Sequence, residues 1–337
     1  MSSTASRKRP AARPANPQSP SGSPLTRTAG SSDAGLGDIA ESLSLLAASG
    51  LCYVPRLPLP VRDAVSPKRI RRIVLTLSRR ANVGHIGSCL CVAEILSALY
   101  SHLLRAAAPR DPERDRFVLS KGHAGLALYA ALHLKGWISE AQMETFCGDN
   151  TLLGVHPEAA VPGVDFSTGS LGQGLSMAVG AALAARLQGS ARRVFCLISD
   201  GECNEGSIWE AAMFAAHHLL SNLQVVVDRN GVQAFGRTRD VSDAANLADR
   251  WRAFGWHVAQ VDGHSVPALV AALQEAPDIA APRILLANTT FGKGVSYMEQ
   301  GLPLTQRHIP VQPFNWHYLP MSDDEYRIAM EEVESAR

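Results

Sequence analysis

The chain has 337 residues, of which 46% are apolar and 19% are charged. These proportions suffice for a folded core and exclude a chain that is disordered throughout. The net charge of +1 argues against general nucleic-acid binding, and no unbroken apolar stretch approaches the ~18 residues of a membrane span. Of six cysteines, only Cys89 and Cys91 lie close together, so a disulfide scaffold is excluded and a reduced, cytoplasmic location is expected.

Residues 1–37 form a basic tail that we predict to be disordered. Residues 1–32 hold five basic side chains, five prolines and no acid, and such a segment cannot bury enough apolar surface to offset its ordering entropy. This composition is also typical of organelle transit peptides, but the prolines oppose an amphipathic helix and favour a nonessential tail. Residues 38–65 are predicted to hold a short helix, Ile39–Leu51, and a proline-rich linker, and residues 66–337 form the folded domain.

From residue 66 onward, apolar runs alternate with helical patterns. The helical patterns are Val92–Leu103, Trp209–Leu220 with Met213 on its apolar face, Asp243–Phe254, Val266–Gln274 and Asp323–Glu334. The apolar runs, which predict strands, are Val194–Ile198, Leu223–Val227, Val258–Val261 and Ile284–Ala287. This alternation predicts an α/β fold with a doubly wound, mainly parallel sheet and helices on both faces. Because ligands bind outside the carboxyl ends of such strands, the loops after Ile198 and Val227 are expected to carry the chemistry.

Those two loops contain a candidate metal site. Asp200 and Gly201 follow the first run, and Asn230 follows the second. A carboxylate, an amide oxygen and a backbone carbonyl near Val232 would suit Mg²⁺, which completes its octahedron with diphosphate and water. Gly201 would let the chain turn close to the phosphates. On these residues alone, turn or helix-cap roles for Asp200 and Asn230 remain an equal alternative.

Asp200-Gly201, followed by Asn230 after 28 intervening residues, resembles the thiamine diphosphate fingerprint. Ser199 replaces its first glycine and Arg229 the first of its usual paired asparagines. Further matches are Gly84–Gly87, Ser120–Ala124, Val155–Glu158, Thr168–Gly174, Trp209–Ala212, Gly292–Ser296 and Trp316–Ser322. Together these motifs resemble the transketolases, especially the N-terminal subunits of split transketolases. The resemblance implies the thiamine diphosphate-binding fold and a two-carbon ketol transfer from a ketose to an aldose, either of which could be phosphorylated.

The resemblance also implies roles for individual residues. Asp200, Asn230 and the Val232 carbonyl would bind Mg²⁺. Gly169, Leu171 and the Gly201 backbone would contact thiamine diphosphate. The glycines of the tract Thr168–Gly174 permit close approach to a ligand, and the helix that this tract opens would favour an anion at its N-terminus.

Four of the eleven histidines lie inside matching motifs. By resemblance, His85 and His317 handle donor and acceptor oxygens, and His123 and His156 lie near the cofactor and the two-carbon fragment. Imidazole titrates in the range that such proton transfers need. The segment 301–315 departs from the family because it inserts prolines and His308 before Trp316. We favour His317 over His308 as the residue facing the substrate, because Tyr318–Ser322 continues the match.

No second sheet pattern follows the first. In the family, a second domain supplies the glutamate that activates the pyrimidine of the cofactor. We therefore expect a separate C-terminal, pyrimidine-binding subunit in an α2β2 assembly. By resemblance, Glu205 and Glu210 join a carboxylate network at the subunit interface, and their alternatives are helix capping and a surface charge.

Two alternative functions remain open. The first is a thiamine diphosphate-dependent synthase that joins a decarboxylated α-keto acid to an aldehyde. The second is a noncatalytic partner that has kept the fold. The retained Asp200, Asn230 and motif histidines argue against the noncatalytic alternative.

Overall fold

A computed structural model describes residues 65–242, 246–275, 280–299 and 315–336. The predicted tail, the predicted helix Ile39–Leu51 and His308 lie outside these residues. The first part of the domain is mainly helical: α1 Pro67–Ala81, α2 Ile86–Leu90, α3 Ala93–Ser97, a π-helical turn Ala98–Leu103, β1 Arg116–Leu119, a 3₁₀ turn Gly122–Ala124, α4 Gly125–Leu134, α5 Glu140–Met143 and α6 Gly174–Leu187.

The second part alternates strands and helices. Its elements are β2 Val194–Ser199, a 3₁₀ turn Gly201–Asn204, α7 Gly206–His217, β3 Leu223–Arg229, β4 Val232–Gln233, β5 Gly236–Arg237, α8 Thr238–Val241, α9 Leu247–Ala253, β6 His257–Asp262, α10 Val266–Gln274, β7 Arg283–Asn288, α11 Asn315–Tyr318 and α12 Asp323–Ser335.

Five parallel strands form the central sheet in the order β1-β2-β3-β7-β6. In register, Ser199 at the end of β2 pairs with Asp228 in β3, and Arg229 pairs with Asn288 at the end of β7. The carboxyl ends of these strands are therefore level with one another. Strands β4 and β5 form a separate antiparallel hairpin. The predicted fold class is confirmed.

Alternate residues of each strand face two different cores. Phe195 and Leu197 pack in the core that α1–α4, α10 and α12 cover, whereas Cys196 and Ile198 pack in the core that α6, α7 and α9 cover. Strands that are buried on both faces are apolar at nearly every position. For this reason the sequence displays them as unbroken apolar runs.

The elements that were predicted from the sequence agree with the structure to within a few residues, but several others, among them the helices α1 and α4, were not predicted. Strand β1 was not predicted, because it has only four residues and begins with Arg116. The predicted apolar face of α7 is wrong at Met213, which is 52% exposed. The face that α7 buries consists of Ile208 and three alanines, Ala211, Ala212 and Ala215, which join the core shared with α6 and α9.

The segment Ile86–Leu103 has the length and hydropathy of a membrane span, but 89% of it is buried inside the protein. It is built from α2, α3 and the π-helical turn. It also carries Glu94, whose carboxylate lies 2.7 Å from the Arg71 guanidinium. Burial on this scale identifies the segment as part of the protein core.

Candidate functional site

The candidate site lies at the carboxyl edge of the sheet, where the loops after five strands are joined by hydrogen bonds. Lys121, after β1, pairs with Asp228 near the end of β3. Asp200, after β2, accepts a hydrogen bond from the Gly231 amide after β3, at 2.9 Å. The loops after β6 and β7 are joined by a bond of 2.8 Å from the Thr290 amide to His264. These loops include the two, after Ile198 and Val227, where the sequence predicted the site, at the edge of a parallel sheet where ligands usually bind.

Asp200 is a buried carboxylate that takes part in none of the ion pairs among the described residues. It is 2% exposed and accepts hydrogen bonds from the amides of Gly201 and Gly231, both at 2.9 Å, and from the Thr238 hydroxyl at 3.3 Å. Burial, followed by the charge of Asp228, raises the pKa of Asp200 to about 6. A divalent cation would relieve both effects, so this carboxylate fits a metal ligand.

Asn230 lies in the loop after β3 that also donates to Asp200, and we call Asp200, Gly201 and Asn230–Val232 the Asp200 cradle. Its amide nitrogen donates to Asp228 Oδ2 at 2.7 Å, and its Oδ1 accepts from the Val232 amide at 2.9 Å. These bonds fix the side chain and leave a second lone pair on Oδ1 for a cation. The described residues contain no group of three or more His, Cys, Asp or Glu side chains that could hold a metal. This is compatible with the predicted magnesium site, which uses one carboxylate, one amide and one backbone carbonyl.

Lys121 and Asp228 form a fully buried ion pair beneath this cradle, with both side chains 0% exposed. The ammonium group bonds to Asp228 Oδ2, and the Thr289 hydroxyl bonds to Asp228 Oδ1. Although burial would raise the pKa of Asp228, the Lys121 charge outweighs it and lowers that pKa. Burial likewise opposes the charge on Lys121, but Asp228 raises the Lys121 pKa. Both groups are therefore charged in the native protein.

The predicted cofactor tract, Thr168–Gly174, packs closely against the loop after β1. A Cβ on Gly122 would lie 2.9 Å from the backbone of Gly169, and a Cβ on Gly174 would lie 2.5 Å from the Ser120 hydroxyl. Gly172 has a φ of +87°, which favours glycine. The structure places the start of α6 at Gly174, so Leu171 precedes the helix and is 36% exposed.

Glu202 holds this tract in place and was not predicted. Its carboxylate is 0% exposed and accepts from the Gly172 amide at 2.8 Å, the Ser199 amide at 3.3 Å and the Ser120 hydroxyl. Burial raises its pKa despite these bonds. Glu202 thus connects the loops after β1 and β2 with the predicted cofactor tract.

The four motif histidines come together in front of that tract. Ring centroids lie 5.5 Å apart for His85 and His123, 5.7 Å for His85 and His317, 5.5 Å for His123 and His317, and 6.4 Å for His85 and His156. A Cβ on Gly169 would lie 3.5 Å from the His156 ring. The histidine cluster therefore borders the predicted cofactor tract.

Three of these imidazoles are held neutral. Burial is the first cause that lowers the pKa of His85, of His123 and of His317, and the charge of Lys121 also lowers all three. The pKa of His317 falls to about 4. The Nδ1 atoms of His85 and His317 are buried and have no hydrogen-bond partner in the described part of the chain. Such atoms are suited to a polar ligand that enters the cluster.

His317 is fixed by the segment after β7. Its ring stacks on Phe291 at 6.1 Å between centroids and 21° between planes, and its backbone carbonyl accepts from the His85 amide at 3.2 Å. A Cβ on Gly84 would lie 2.2 Å from the Tyr318 carbonyl oxygen. The segment that carries His317 is thus closely packed against the segment that carries His85.

Glu205 and Glu210 are exposed on the outer side of the site. Glu205 is the N-cap residue of α7, but its side chain makes no capping hydrogen bond. Glu205 therefore lies at the helix start, as its alternative role requires, but it does not cap the helix through a side-chain hydrogen bond. Glu205 lies beside the predicted cofactor tract, as shown by the distance of 2.7 Å between a Cβ built on Gly172 and Glu205 Cβ.

Comparisons with known proteins agree with one another. The family profile described as "Transketolase, thiamine diphosphate binding domain" matches residues 63–309. The 6-deoxy-6-sulfo-D-fructose transketolase subunit SqwG of Clostridium sp. (strain MSTE9) is 40% identical over 269 residues, which make up 79% of this chain and 94% of that protein. An apulose-4-phosphate transketolase subunit of Phocaeicola vulgatus is 38% identical over 271 residues, with 80% and 92% covered.

A solved structure gives the same result. The transketolase of Campylobacter jejuni is similar with a TM-score of 0.73 and 29% sequence identity, and the match covers 82% of this chain but 43% of that chain. The chain therefore spans less than half of a full-length relative, whereas it spans nearly the whole of the two subunits.

Proposed function

Because the chain belongs to the transketolase family and matches its thiamine diphosphate binding domain, we propose that it is the diphosphate-binding subunit of a two-subunit transketolase. With a separate pyrimidine-binding subunit, it would transfer a two-carbon ketol unit from a ketose to an aldose. The observation that carries the proposal is the convergence of His85, His123 and His317, at 5.5–5.7 Å between ring centroids. It is supported by Asp200, a buried carboxylate at the same sheet edge that has no cation partner among the described residues.

The proposed magnesium ligands are Asp200, Asn230 and the Val232 carbonyl. Asp200 fits because it is buried and charged near neutral pH without an ion-pair partner among the described residues. The cradle is completed by Gly201, where a Cβ would lie 2.9 Å from Gln233 Cβ. Glycine at this position keeps the loop after β2 close to the hairpin β4–β5, and its backbone would contact the diphosphate.

Thiamine diphosphate, when bound, would supply the carbon nucleophile that the reaction needs. The residues of this chain would orient the sugar and move its protons. A neutral imidazole can accept a proton from a hydroxyl at one nitrogen and donate one at the other. The lowered pKa values of His85, His123 and His317 keep them in this neutral form, and the unpaired Nδ1 atoms of His85 and His317 face no competing protein group among the described residues.

A separate partner subunit is supported by the lengths of the relatives. The two relatives named as subunits are covered over 94% and 92% of their length, whereas the full-length Campylobacter jejuni enzyme is covered over 43%. We propose an α2β2 assembly in which exposed Glu205 and Glu210 face the interface. The cytoplasmic location and the domain bounds 1–37, 38–65 and 66–337 stay predictions.

The test is reconstitution of transfer from two purified subunits. This chain would be mixed with a separately purified pyrimidine-binding transketolase subunit, Mg²⁺ and thiamine diphosphate. Apulose 4-phosphate and 6-deoxy-6-sulfo-D-fructose, the substrates in the names of its relatives, would serve as trial donors. The proposal is supported if the mixture transfers a ketol unit to an aldose and neither subunit does so by itself. Transfer by this chain without the second subunit refutes the need for a partner.

Two other outcomes identify the alternatives. Release of CO₂ from an α-keto acid, with condensation onto an aldehyde, would indicate the synthase. Tight cofactor binding without turnover of any donor would indicate a noncatalytic partner. Asp200→Ala provides the control for both, because the cofactor-dependent synthase reaction and the tight cofactor binding should each be lost in that variant.

A further inference from the structure

His264 makes two hydrogen bonds that fix the protonation of its ring. It lies directly after β6, outside the motif histidines, and its side chain is 14% exposed. Its Nε2 lies 2.8 Å from the Thr290 amide, and its Nδ1 lies 3.1 Å from Glu94 Oε2. A backbone amide can only donate, so Nε2 is the acceptor and carries no proton. The proton is therefore on Nδ1 and is donated to Glu94.

Glu94 is a rigid acceptor for that proton. Arg71 binds it through two parallel bonds of 2.8 and 2.7 Å, and the two side chains are 9% and 10% exposed. Bidentate pairs of this kind fix orientation as well as charge. The Arg71 Nε also donates to the Lys293 carbonyl at 2.8 Å. The Arg71–Glu94–His264 triad thus contacts the segment after β7 at two points.

That segment, residues 289–294, is bound along its length and carries Phe291. The Thr289 hydroxyl bonds to Asp228, the Gly292 amide donates to the Gly87 carbonyl at 3.2 Å, and the Gly294 amide donates to Glu299 at 2.8 Å. The Thr290 amide, next to Phe291, depends on the side chain of His264. Any shift at Thr290 would move the ring of Phe291.

Phe291 forms one wall of the histidine cluster. Its ring stacks on His317 at 6.1 Å between centroids. It also presses against α2, because a Cβ on Gly87 would lie 2.2 Å from the Phe291 ring. The ring therefore lies between His317 and the helix that follows His85. A displacement of Phe291 would consequently be passed on to His317.

We propose that His264, in its Nδ1–H tautomer, is a positioning residue that sets Phe291 beneath His317. The functional part of this inference rests on the proposed transketolase reaction, in which His317 handles substrate oxygens. His264 touches neither substrate nor cofactor in this proposal. It acts only through the Thr290 amide and the Phe291 ring.

The kinetic test uses two variants of the reconstituted complex, His264→Gln and His264→Leu. Glutamine offers an acceptor for Thr290 and a donor for Glu94, whereas leucine offers neither. Since misplacement of a catalytic group by about 1 Å can cost roughly 100-fold, His264→Leu should lower kcat/KM for the donor by about 10- to 100-fold. His264→Gln should restore most of it. The affinity for thiamine diphosphate with Mg²⁺ should stay within about twofold in both variants, because the Asp200 cradle is intact.

A second readout does not depend on activity. Nitrogen-15 spectra of the full chain, with labelled histidines, should show an Nδ1–H imidazole signal that is assigned to His264 by its loss in both variants. The Nδ1–H signal expected for His133, which faces the Ile138 carbonyl at 2.9 Å, should remain. The His317 ring signals should shift in His264→Leu and return toward wild type in His264→Gln. An Nε2–H tautomer at His264, or a leucine variant with unchanged His317 signals and unchanged kcat/KM, would overturn the proposal. If the wild-type complex transfers no ketol unit but the tautomer and the shifts are as expected, the positioning role stands and the proposed reaction fails.

Discussion

Replacing Asp200 with asparagine should stabilise the cofactor-free chain and abolish cofactor binding. The carboxylate is 2% exposed, and burial together with the charge of Asp228 raises its pKa from 3.8 to about 6. The hydrogen bonds from the Gly201 and Gly231 amides act in the opposite direction but do not compensate. Ionising Asp200 in the folded, cofactor-free chain therefore costs free energy that asparagine does not cost.

The size of this effect follows from the difference in pKa. A pKa that is higher in the folded state favours folding below the unfolded pKa, and this advantage is lost as the pH rises through the folded pKa. Relative to wild type, Asp200→Asn should therefore gain about 1 kcal/mol in the free energy of unfolding at about pH 4.5 and about 3 kcal/mol at about pH 7.5. Magnesium and thiamine diphosphate should stabilise wild type further and leave the variant unchanged.

The stability difference is measured by urea unfolding of the cofactor-free wild type and variant, with a chelator present, at both pH values. The effect of the cofactor is measured by thermal unfolding of both proteins with and without Mg²⁺ and thiamine diphosphate. Asp149→Asn, at an exposed position, is the matched control and should change neither quantity. A variant that is less stable than wild type at about pH 7.5 would refute the reasoning from burial, because the sign of the pKa difference would be wrong. A variant that keeps its metal-dependent stabilisation would remove Asp200 from the metal site.

Three further predictions test the buried ion pair, the histidine cluster and the glycine that follows Asp200. Lys121→Met should destabilise the chain by about 3–5 kcal/mol in urea unfolding, because it leaves Asp228 buried without its partner. The double variant with Asp228→Asn should recover most of that loss, and failure to recover would mean that the pair does not act as a unit. Because the pKa of His317 lies at about 4, His317→Asn should lower kcat/KM equally at all pH values between about 5.5 and 8, without removing an ionisation from the profile. An acidic limb that disappears with the variant would contradict this. Gly201→Ala should weaken cofactor binding in calorimetry, since its methyl group would lie 2.9 Å from a side-chain carbon of the hairpin β4–β5. Gly206→Ala is its control and should bind as wild type, because a methyl group there would meet no described residue within 4 Å beyond its chain neighbours and its own helix.

The fold was readable from the sequence wherever burial is two-sided. Strands β2 and β3 are apolar at nearly every position because helices cover both faces of the sheet. The same reasoning fails for β1, which has four residues and begins with Arg116. It fails again at Met213, which is 52% exposed. The predicted face included Met213 and two alanines, Ala212 and Ala216, whereas α7 buries Ile208, Ala211, Ala212 and Ala215.

Site residues that lie in short motifs could be predicted from the sequence, whereas hydrogen-bond and ion-pair partners that are distant in the chain could not. The four histidines and Asp200 lie in short motifs, so a resemblance could locate them. The Lys121–Asp228 pair joins residues that are 107 positions apart, and nothing in the sequence pairs them. Glu202 was missed for a related reason. Its partners, the Ser120 hydroxyl and the Gly172 amide, come from two other loops. Leu171 lies inside the tract Thr168–Gly174, which was expected to open the helix, and its position before the start of α6 was not predicted.

One buried lysine links the two halves of the site. Lys121 neutralises Asp228, whereas Asp200 has no cation partner among the described residues and would be balanced by a metal cation. After burial, the same ammonium charge helps to lower the pKa of His85, His123 and His317. Because charges interact strongly in a buried site, the Lys121 ammonium can stabilise the Asp228 carboxylate and also disfavour protonation of the three histidines. The Asp200 side of the site therefore stays anionic, as the binding of a metal cation requires. The histidine side stays neutral, as an uncharged proton carrier requires.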